Sequence, residues 1–506
     1  MMSPTARPKR MERKAIGIAL PPRPVIYEIN TRLWLRELSR QYGRPITLGN
    51  VPADVWDALA GFRFDAVWLM GVWERSPLGL AMALEEQGRQ AAITAALPDI
   101  KPEDITGSPY SIRRYVVDEL VGGREELAVA RAELAARGMA LILDFVPNHV
   151  APDHPWLDSH PEYFMRGTAE ELAAAPGEFF NASGQAIARG RDPFFAPGPD
   201  VAQLNGFDPG LRTATVETLR DIASQSDGVR CDMAMLMTTT IFSKTWGERA
   251  GPPPEEEYWR EIIPAVREHY PDFCFIAEVY WDMEWEMQRQ GFDFCYDKRL
   301  YDRLIQETAV DVRAHLSADT DYQDHLVRFI ENHDEPRAAT VFVAGRALVA
   351  AVAAYTLPGA KLFYQGQFEG YKAHVPVFLT RRPDEPPDRA LMAFYRRLAN
   401  EIQSPALREG QWLLCALNGW PDNTSYNNLA AWCWQAGDDR RLIVVNLSPT
   451  TSQARVQLPW PDLAGQNWLF VDVMDETTYE WNGDEVLNMG LFVELAPWGS
   501  HFFDVR

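Results

Sequence analysis

Residues 124–150, "REELAVARAELAARGMALILDFVPNHV", carry two periodicities in succession. Over 124–138 apolar residues recur at helical spacing and the run ends at Gly138, which predicts a helix. From 140 to 146, "ALILDFV", the apolar residues are nearly continuous rather than alternating. A strand of that kind is buried on both faces, as in a parallel sheet covered by helices. Asp144, Asn148 and His149 then gather at its C-terminal end.

The same unit recurs on both sides. Candidate strands are "VIYEIN" (25–30), "DAVWLMGV" (65–72), "GVRCDMA" (228–234), "FCFIAEV" (273–279), "FDFCYD" (292–297), "LVRFIEN" (326–332) and "KLFYQG" (361–366). Helix-like stretches lie between them, including 211–225 and 258–270. With "ALILDFV" these make eight β/α alternations, the number that closes a (β/α)8 TIM barrel, an α/β fold, over residues 25–404. Two intervals break the rhythm. Residues 73–110 form an irregular insertion after the second strand. Residues 150–210, rich in Pro, Gly, Asp and aromatics, are too long for an ordinary connection and predict an inserted functional lobe after the third strand. Beyond 405 short strands and turns ("LAAWCWQ", "RLIVVNLSP", "GLFVELAPWGSHFFDVR") predict a C-terminal antiparallel β domain of sandwich type, 405–506.

Composition narrows the function. A chain of 506 residues with 49 basic and 71 acidic side chains has a net charge near -22, which repels phosphate backbones and anionic lipid. Nucleic acid and membrane surfaces are therefore poor partners, and a neutral small molecule or oligosaccharide is the natural substrate. Seventeen Trp and seventeen Tyr supply flat faces that suit sugar rings, although most belong to the core. Five cysteines, odd in number and without CxxC pairs, fit a reducing compartment. The basic leader, 1–24, has only "AIGIAL" as an apolar piece, too short for a signal peptide. No apolar run approaches the roughly 18 residues of a membrane span. A cytoplasmic protein with a disordered leader is expected.

In such a barrel, polar residues at the C-terminal ends of strands face the active side. The fourth strand supplies Arg230 and Asp232, the fifth Glu278, and the seventh His333 and Asp334. Each alone has an ordinary structural account, such as a turn cap or a satisfied core histidine. Acidic ends converging on one mouth are another matter, because like charges brought together destabilise unless something uses them. Residues two apart on a strand share a face, so Arg230 should lie beside Asp232. An adjacent cation lowers an Asp pKa by about 1–3 units, which predicts an ionised, nucleophilic Asp232. Glu278, emerging from "FCFIAEV", should be raised by desolvation and so suit a general acid. One ionised and one protonated carboxyl about 5–5.5 Å apart is the retaining glycosidase arrangement. Asp334 would oppose the positive charge of the transition state.

The four ends, "DFVPNH", "GVRCD", "FIAEV" and "ENHD", resemble in order the four short conserved regions of the α-amylase family of glycoside hydrolases. The C-terminal "APWGSHFFDV" is similar to the last strand of that family's β domain. The resemblance implies a nucleophile Asp232, an acid/base Glu278 and a stabiliser Asp334. It implies Arg230, His149 and His333 around the glucosyl unit of the innermost subsite, with Asp144 supporting that substrate-binding set from the third strand. "GSPYSIRRY" (107–115) resembles the family's segment after strand two, with Tyr110 as the aromatic platform. Asn148 matches a position that ligates calcium in many members, but no coordination shell can be completed, so neither metal nor other cofactor is assigned.

The departures bear on substrate. Met235 and Leu236 stand where typical starch-degrading α-amylases carry a Lys-His pair. Ser111 and Arg114 stand where many exo-acting relatives carry aspartates. "APDHPWLDSHPEYF" resembles a segment of bacterial α-glucan maltosyltransferases. A hydrolase and a transglycosylase of α-glucans, maltooligosaccharides or related disaccharides are equally expected. The alternatives are a catalytically silent α-glucan-binding protein and a metal-dependent barrel enzyme.

Overall fold

Eight apolar runs become the eight parallel strands of a closed barrel in the computed structural model, which describes residues 17–342 and 345–506. The strands are β1 (Val25–Asn30), β2 (Ala66–Met70), β3 (Ala140–Phe145), β4 (Gly228–Cys231), β5 (Cys274–Ala277), β6 (Phe294–Tyr296), β7 (Leu326–Arg328) and β8 (Ala360–Tyr364). β1 pairs with β2 on one side and β8 on the other, which closes the ring. The expected run 124–138 forms helix α1 (Gly123–Ala135), which buries Leu127, Ala130 and Leu134 at three- and four-residue spacing. Helix α2 (Pro209–Gln225) starts at Asp208, whose side chain caps Leu211 N at 2.9 Å, and α3 (Tyr258–Arg267) packs beside it.

Strand β4 ends at Cys231, three residues short of its expected end. Met233 adopts a left-handed backbone (φ 41°), so the chain leaves the sheet immediately after Arg230 and Cys231. Asp232 sits on that turn.

Both insertions are built. Residues 73–110 contain helices Pro77–Leu84 and Gln87–Ala96, and strand Trp73–Arg75 pairs with Ile112–Val117. The lobe opens with His149–Val150 paired to Ala202–Gln203 and carries the hairpin Phe179–Ala182/Gln185–Ala188. Val150, Leu157, Phe164, Ile187 and Leu211 belong to its own small core.

The C-terminal part forms a six-stranded and a three-stranded antiparallel sheet. Its strand Leu429–Ala436 shows the two-residue period of side-chain direction. Ala430, Trp432 and Trp434 join the barrel core, while Leu429, Ala431 and Cys433 join the domain's own core. The indoles of Trp432 and Trp434 donate to the hydroxyl and carbonyl of Thr356 at 3.2 and 2.8 Å, fixing this domain on the barrel.

Residues 1–16 of the expected disordered leader lie outside the described residues. Residues 17–24 are held in place, contrary to expectation. Arg23 pairs with Asp324 at 2.7 Å and donates to Gly410 O at 3.0 Å, and Ile18 N donates to Asp227 Oδ1 at 3.3 Å. All five cysteines are buried and unpaired. Among the described residues no helix is long and apolar enough to cross a membrane.

Candidate active site

Arg230 organises the barrel mouth. Its side chain is 1% exposed and its guanidinium lies over the rings of Trp68, Tyr110 and Tyr296 at 5.3–5.7 Å. Nη1 donates to Asp232 Oδ1 at 2.8 Å. Nη2 stands 2.7 Å from Glu278 Oε2 and 3.8 Å from Asp334 Oδ2, but makes no aligned hydrogen bond. One guanidinium thus gathers three carboxyl groups from β4, β5 and β7, and hydrogen-bonds only one of them.

That asymmetry separates the two carboxyls. Burial pushes Glu278 up to about 7; Arg230 opposes the rise, and Asp232 and Asp334 add to it. Asp232 is also raised, because burial outweighs the charge and hydrogen bond of Arg230. The expectation that Arg230 would bring Asp232 below its usual range is therefore corrected: desolvation is the larger effect in so closed a site. Arg230 hydrogen-bonds Asp232 but not Glu278, whose hydrogen bonds come from Met233 N and the Tyr280 hydroxyl instead.

Asp334, at the end of "ENHD", is the most accessible of the three. Burial raises its pKa, but His333 and Arg230 hold it down to about 2. His333 Nε2 lies 2.9 Å from Asp334 Oδ2 and 2.8 Å from the Tyr110 hydroxyl, while Nδ1 lies 2.5 Å from Glu28 Oε1. Burial disfavours the imidazolium, but the two flanking carboxylates push His333 well above the usual histidine range. Tyr110 stacks on this ring with centroids 5.4 Å apart.

Asp144 departs from its expected place. It is fully buried, and its carboxylate accepts from Trp68 Nε1 at 3.0 Å and Gly71 N at 2.7 Å. Both oxygens are thus engaged by the end of β2, so Asp144 acts as a tie between β2 and β3 rather than as a group open to substrate. Burial raises it to about 6. His149 is half-buried at the root of the lobe, facing the Tyr110 backbone, and burial lowers it to about 4.

Three contributors escaped the sequence reading. Glu28, fully buried in the middle of β1, holds His333; a lone carboxylate inside "VIYEIN" is the same signal that exposed Arg230. The Tyr280 hydroxyl donates to Glu278 Oε1 at 2.7 Å, and Met233 N donates to Oε2 at 2.7 Å. The second depends on the left-handed turn at Met233, which no residue pattern announces.

The departures also have places. Met235 and Leu236 are buried just beyond the turn that carries Asp232. Ser111 Oγ donates to Asp200 O of the lobe at 2.7 Å, and Arg114 pairs with Glu74 at 2.6 Å.

Three carboxyl groups gathered around one arginine at the C-terminal mouth of a parallel barrel form an acidic cluster on the face where such barrels carry their active sites. The family model for the alpha-amylase catalytic domain matches residues 57–384, and the chain belongs to the alpha-amylase family. Over 62% of its length it is 26% identical to the alpha-amylase MalA of Haloarcula japonica, and over 96% it is 25% identical to an alpha-1,4-glucan:maltose-1-phosphate maltosyltransferase of Streptomyces coelicolor. The chain spans 44% and 69% of the lengths of those two relatives. The fold is similar to that of a noncanonic maltogenic alpha-amylase from Thermotoga neapolitana. That likeness has a TM-score of 0.67 and 17% identity, and it covers 95% of this chain and 98% of the other.

Proposed function

We propose that this chain is a retaining enzyme of α-glucosidic bonds, a hydrolase or transglycosylase of α-glucans, maltooligosaccharides or related disaccharides. The observation that carries the reading is the shared guanidinium: Arg230 hydrogen-bonds Asp232 and leaves Glu278, 2.7 Å away, without an aligned bond. Asp232 Oδ1 is occupied by Arg230, which leaves Oδ2 to attack the anomeric carbon. Glu278 Oε2 faces Met233 N and Arg230, so a proton on this carboxyl belongs on Oε1, where the Tyr280 hydroxyl can reverse from donor to acceptor. In the first step the Asp232–carbon bond forms, the glycosidic bond breaks, and the leaving oxygen takes the Glu278 proton. In the second, Glu278 takes a proton from water or a sugar hydroxyl, which displaces Asp232. Asp334 opposes positive charge on the ring, and Tyr110, His333 and His149 border the glucosyl unit.

The test is trapping with a fluorinated α-glucosyl fluoride. A covalent glucosyl adduct on the peptide containing Asp232 is expected by mass spectrometry; a turning-over enzyme that never labels there would sink the mechanism.

A metal finds no support in the residues present. Asn148 Oδ1, the oxygen a cation would need, accepts from Gln203 Nε2 at 2.8 Å. That nitrogen also faces the carbonyls of Asn148 and Leu204 at 2.9 and 3.0 Å, which fixes the amide orientation. Activity is expected to survive dialysis against EDTA unchanged; its loss, restored by calcium, would contradict this reading. The buried, unpaired cysteines support a reducing, cytoplasmic setting.

A further inference from the structure

We propose that the enzyme acts from the non-reducing end of its glucan, moving one short glycosyl unit at a time. The inference rests on the reaction proposed above and concerns the shape of the same cleft.

The acid protonates the leaving oxygen, so the leaving group lies on the side of Glu278, over β4, β5 and β6. The glycon lies opposite, over β8, β1 and β2, where Tyr110 stands and where the His333 ring, from the end of β7, reaches Glu28 of β1. In the barrel β1 lies between β8 and β2, and the insertions following these two neighbours join above it. Thr106 N donates to Phe378 O at 2.7 Å, Thr380 N donates to Asp104 O at 2.9 Å, and Ile105 and Leu379 form an antiparallel bridge. Arg381 pairs with Asp104 at 2.8 Å. Beneath these bonds Ala83, Ile93, Leu97, Phe378 and Leu379 form a separate buried apolar cluster.

This joined strap is also fastened at both ends. Arg89 stacks on Phe378 at 4.4 Å and reaches Asp200 of the lobe at 3.3 Å, and Ser76 donates to Asp153 of the lobe at 2.5 Å. At the other end His374 Nε2 lies 3.0 Å from His333 O, beside the site itself. Backbone bonds, ion pairs and a small core therefore wall the glycon side from β8 round to β3. A long chain cannot continue through such a wall, because passage would require breaking all of them together.

The opposite side is built differently. Phe194 and Phe195 of the lobe are 57% and 71% exposed, and Trp285 is 50% exposed. Phe194 meets Trp281 edge to face at 4.8 Å, joining the lobe to the loop that follows Glu278. Trp281 and Asp282 are consecutive left-handed residues (φ 65° and 60°), a conformation uncommon outside glycine that is kept where the surroundings require it. Of these rings Phe194, left in water where the lobe meets the loop that follows Glu278, suits stacking on a sugar ring of the leaving or accepting chain.

Maltoheptaose labelled at its reducing end, together with β-cyclodextrin, which has no end, tests the proposal on the full chain. The labelled sugar is expected to shorten or lengthen by one constant increment from the earliest times, and the ring to stay intact. Early labelled fragments of mixed length, or opening of the ring, would overturn the inference and leave the proposed chemistry standing. Turnover of an α-linked disaccharide without reaction on any glucan would overturn this inference alone, and no reaction on either would remove the chemistry with it.

Discussion

Glu278→Gln is expected to lower kcat/KM on maltooligosaccharides by about 10²–10⁴-fold, the range of general acid–base catalysis. The amide keeps an oxygen for Met233 N and Arg230, and its nitrogen can meet the Tyr280 hydroxyl, so the site stays assembled while the transferable proton is lost. The deficit should shrink on α-glucosyl fluoride, whose leaving group needs no protonation in the first step. A pH profile gives an independent check. Glu278 must carry its proton, and burial places its pKa at about 7, so kcat/KM of the parent enzyme should fall as pH rises through that region. Because the carboxyl groups share one arginine, the apparent value belongs to the cluster. In Glu278→Gln the alkaline fall should vanish. Equal losses on activated and unactivated substrates, or an unchanged alkaline limb, would assign the proton to another group.

The barrel was legible because burial on both faces leaves nearly unbroken apolar runs, and eight such runs separated by helices admit few arrangements. The candidate site was legible for a related reason: Arg230 and Glu278 stand out against apolar neighbours, and Asp334 belongs to the polar cluster "ENHDE" at the end of the seventh strand run. Glu28 belonged to the same class of signal but sits inside a strand, not at its end, and a search of strand ends passes over it. Two quantities were out of reach. The pKa of Asp232 is a contest between burial and Arg230, and residue spacing names the contestants without their strengths. The strap over β1 depends on pairs far apart in sequence, such as Arg89 with Phe378 and Thr106 with Phe378, which no local pattern joins. Asp144 shows the converse limit, since its position at a strand end suggested substrate contact, whereas two donors from β2 occupy it.

Arg230→Met is expected to abolish turnover and to destabilise the fold in a pH-dependent way. Methionine replaces much of the apolar stem but leaves Asp232 and Glu278 buried without their cation. Removing one member of a buried ion pair costs about 3–5 kcal/mol. The sign follows from the carboxyls. Burial already raises Asp232 and Glu278 above their usual range, and loss of Arg230, which lowers both, raises them further. A carboxyl whose folded pKa exceeds its unfolded value, about 4, favours the folded state only while protonated. Stability is then lost as pH climbs from the unfolded pKa through the folded one. The variant should therefore lie closest to the parent in Tm near pH 5 and fall furthest below it near pH 8. Thermal unfolding of both proteins across that range is the measurement. A Tm deficit that is the same at pH 5 and pH 8 would mean that Arg230 acts through packing on Trp68, Tyr110 and Tyr296 rather than through charge. A pH-dependent deficit with turnover intact would instead keep Arg230 as a structural counter-ion and remove it from the reaction.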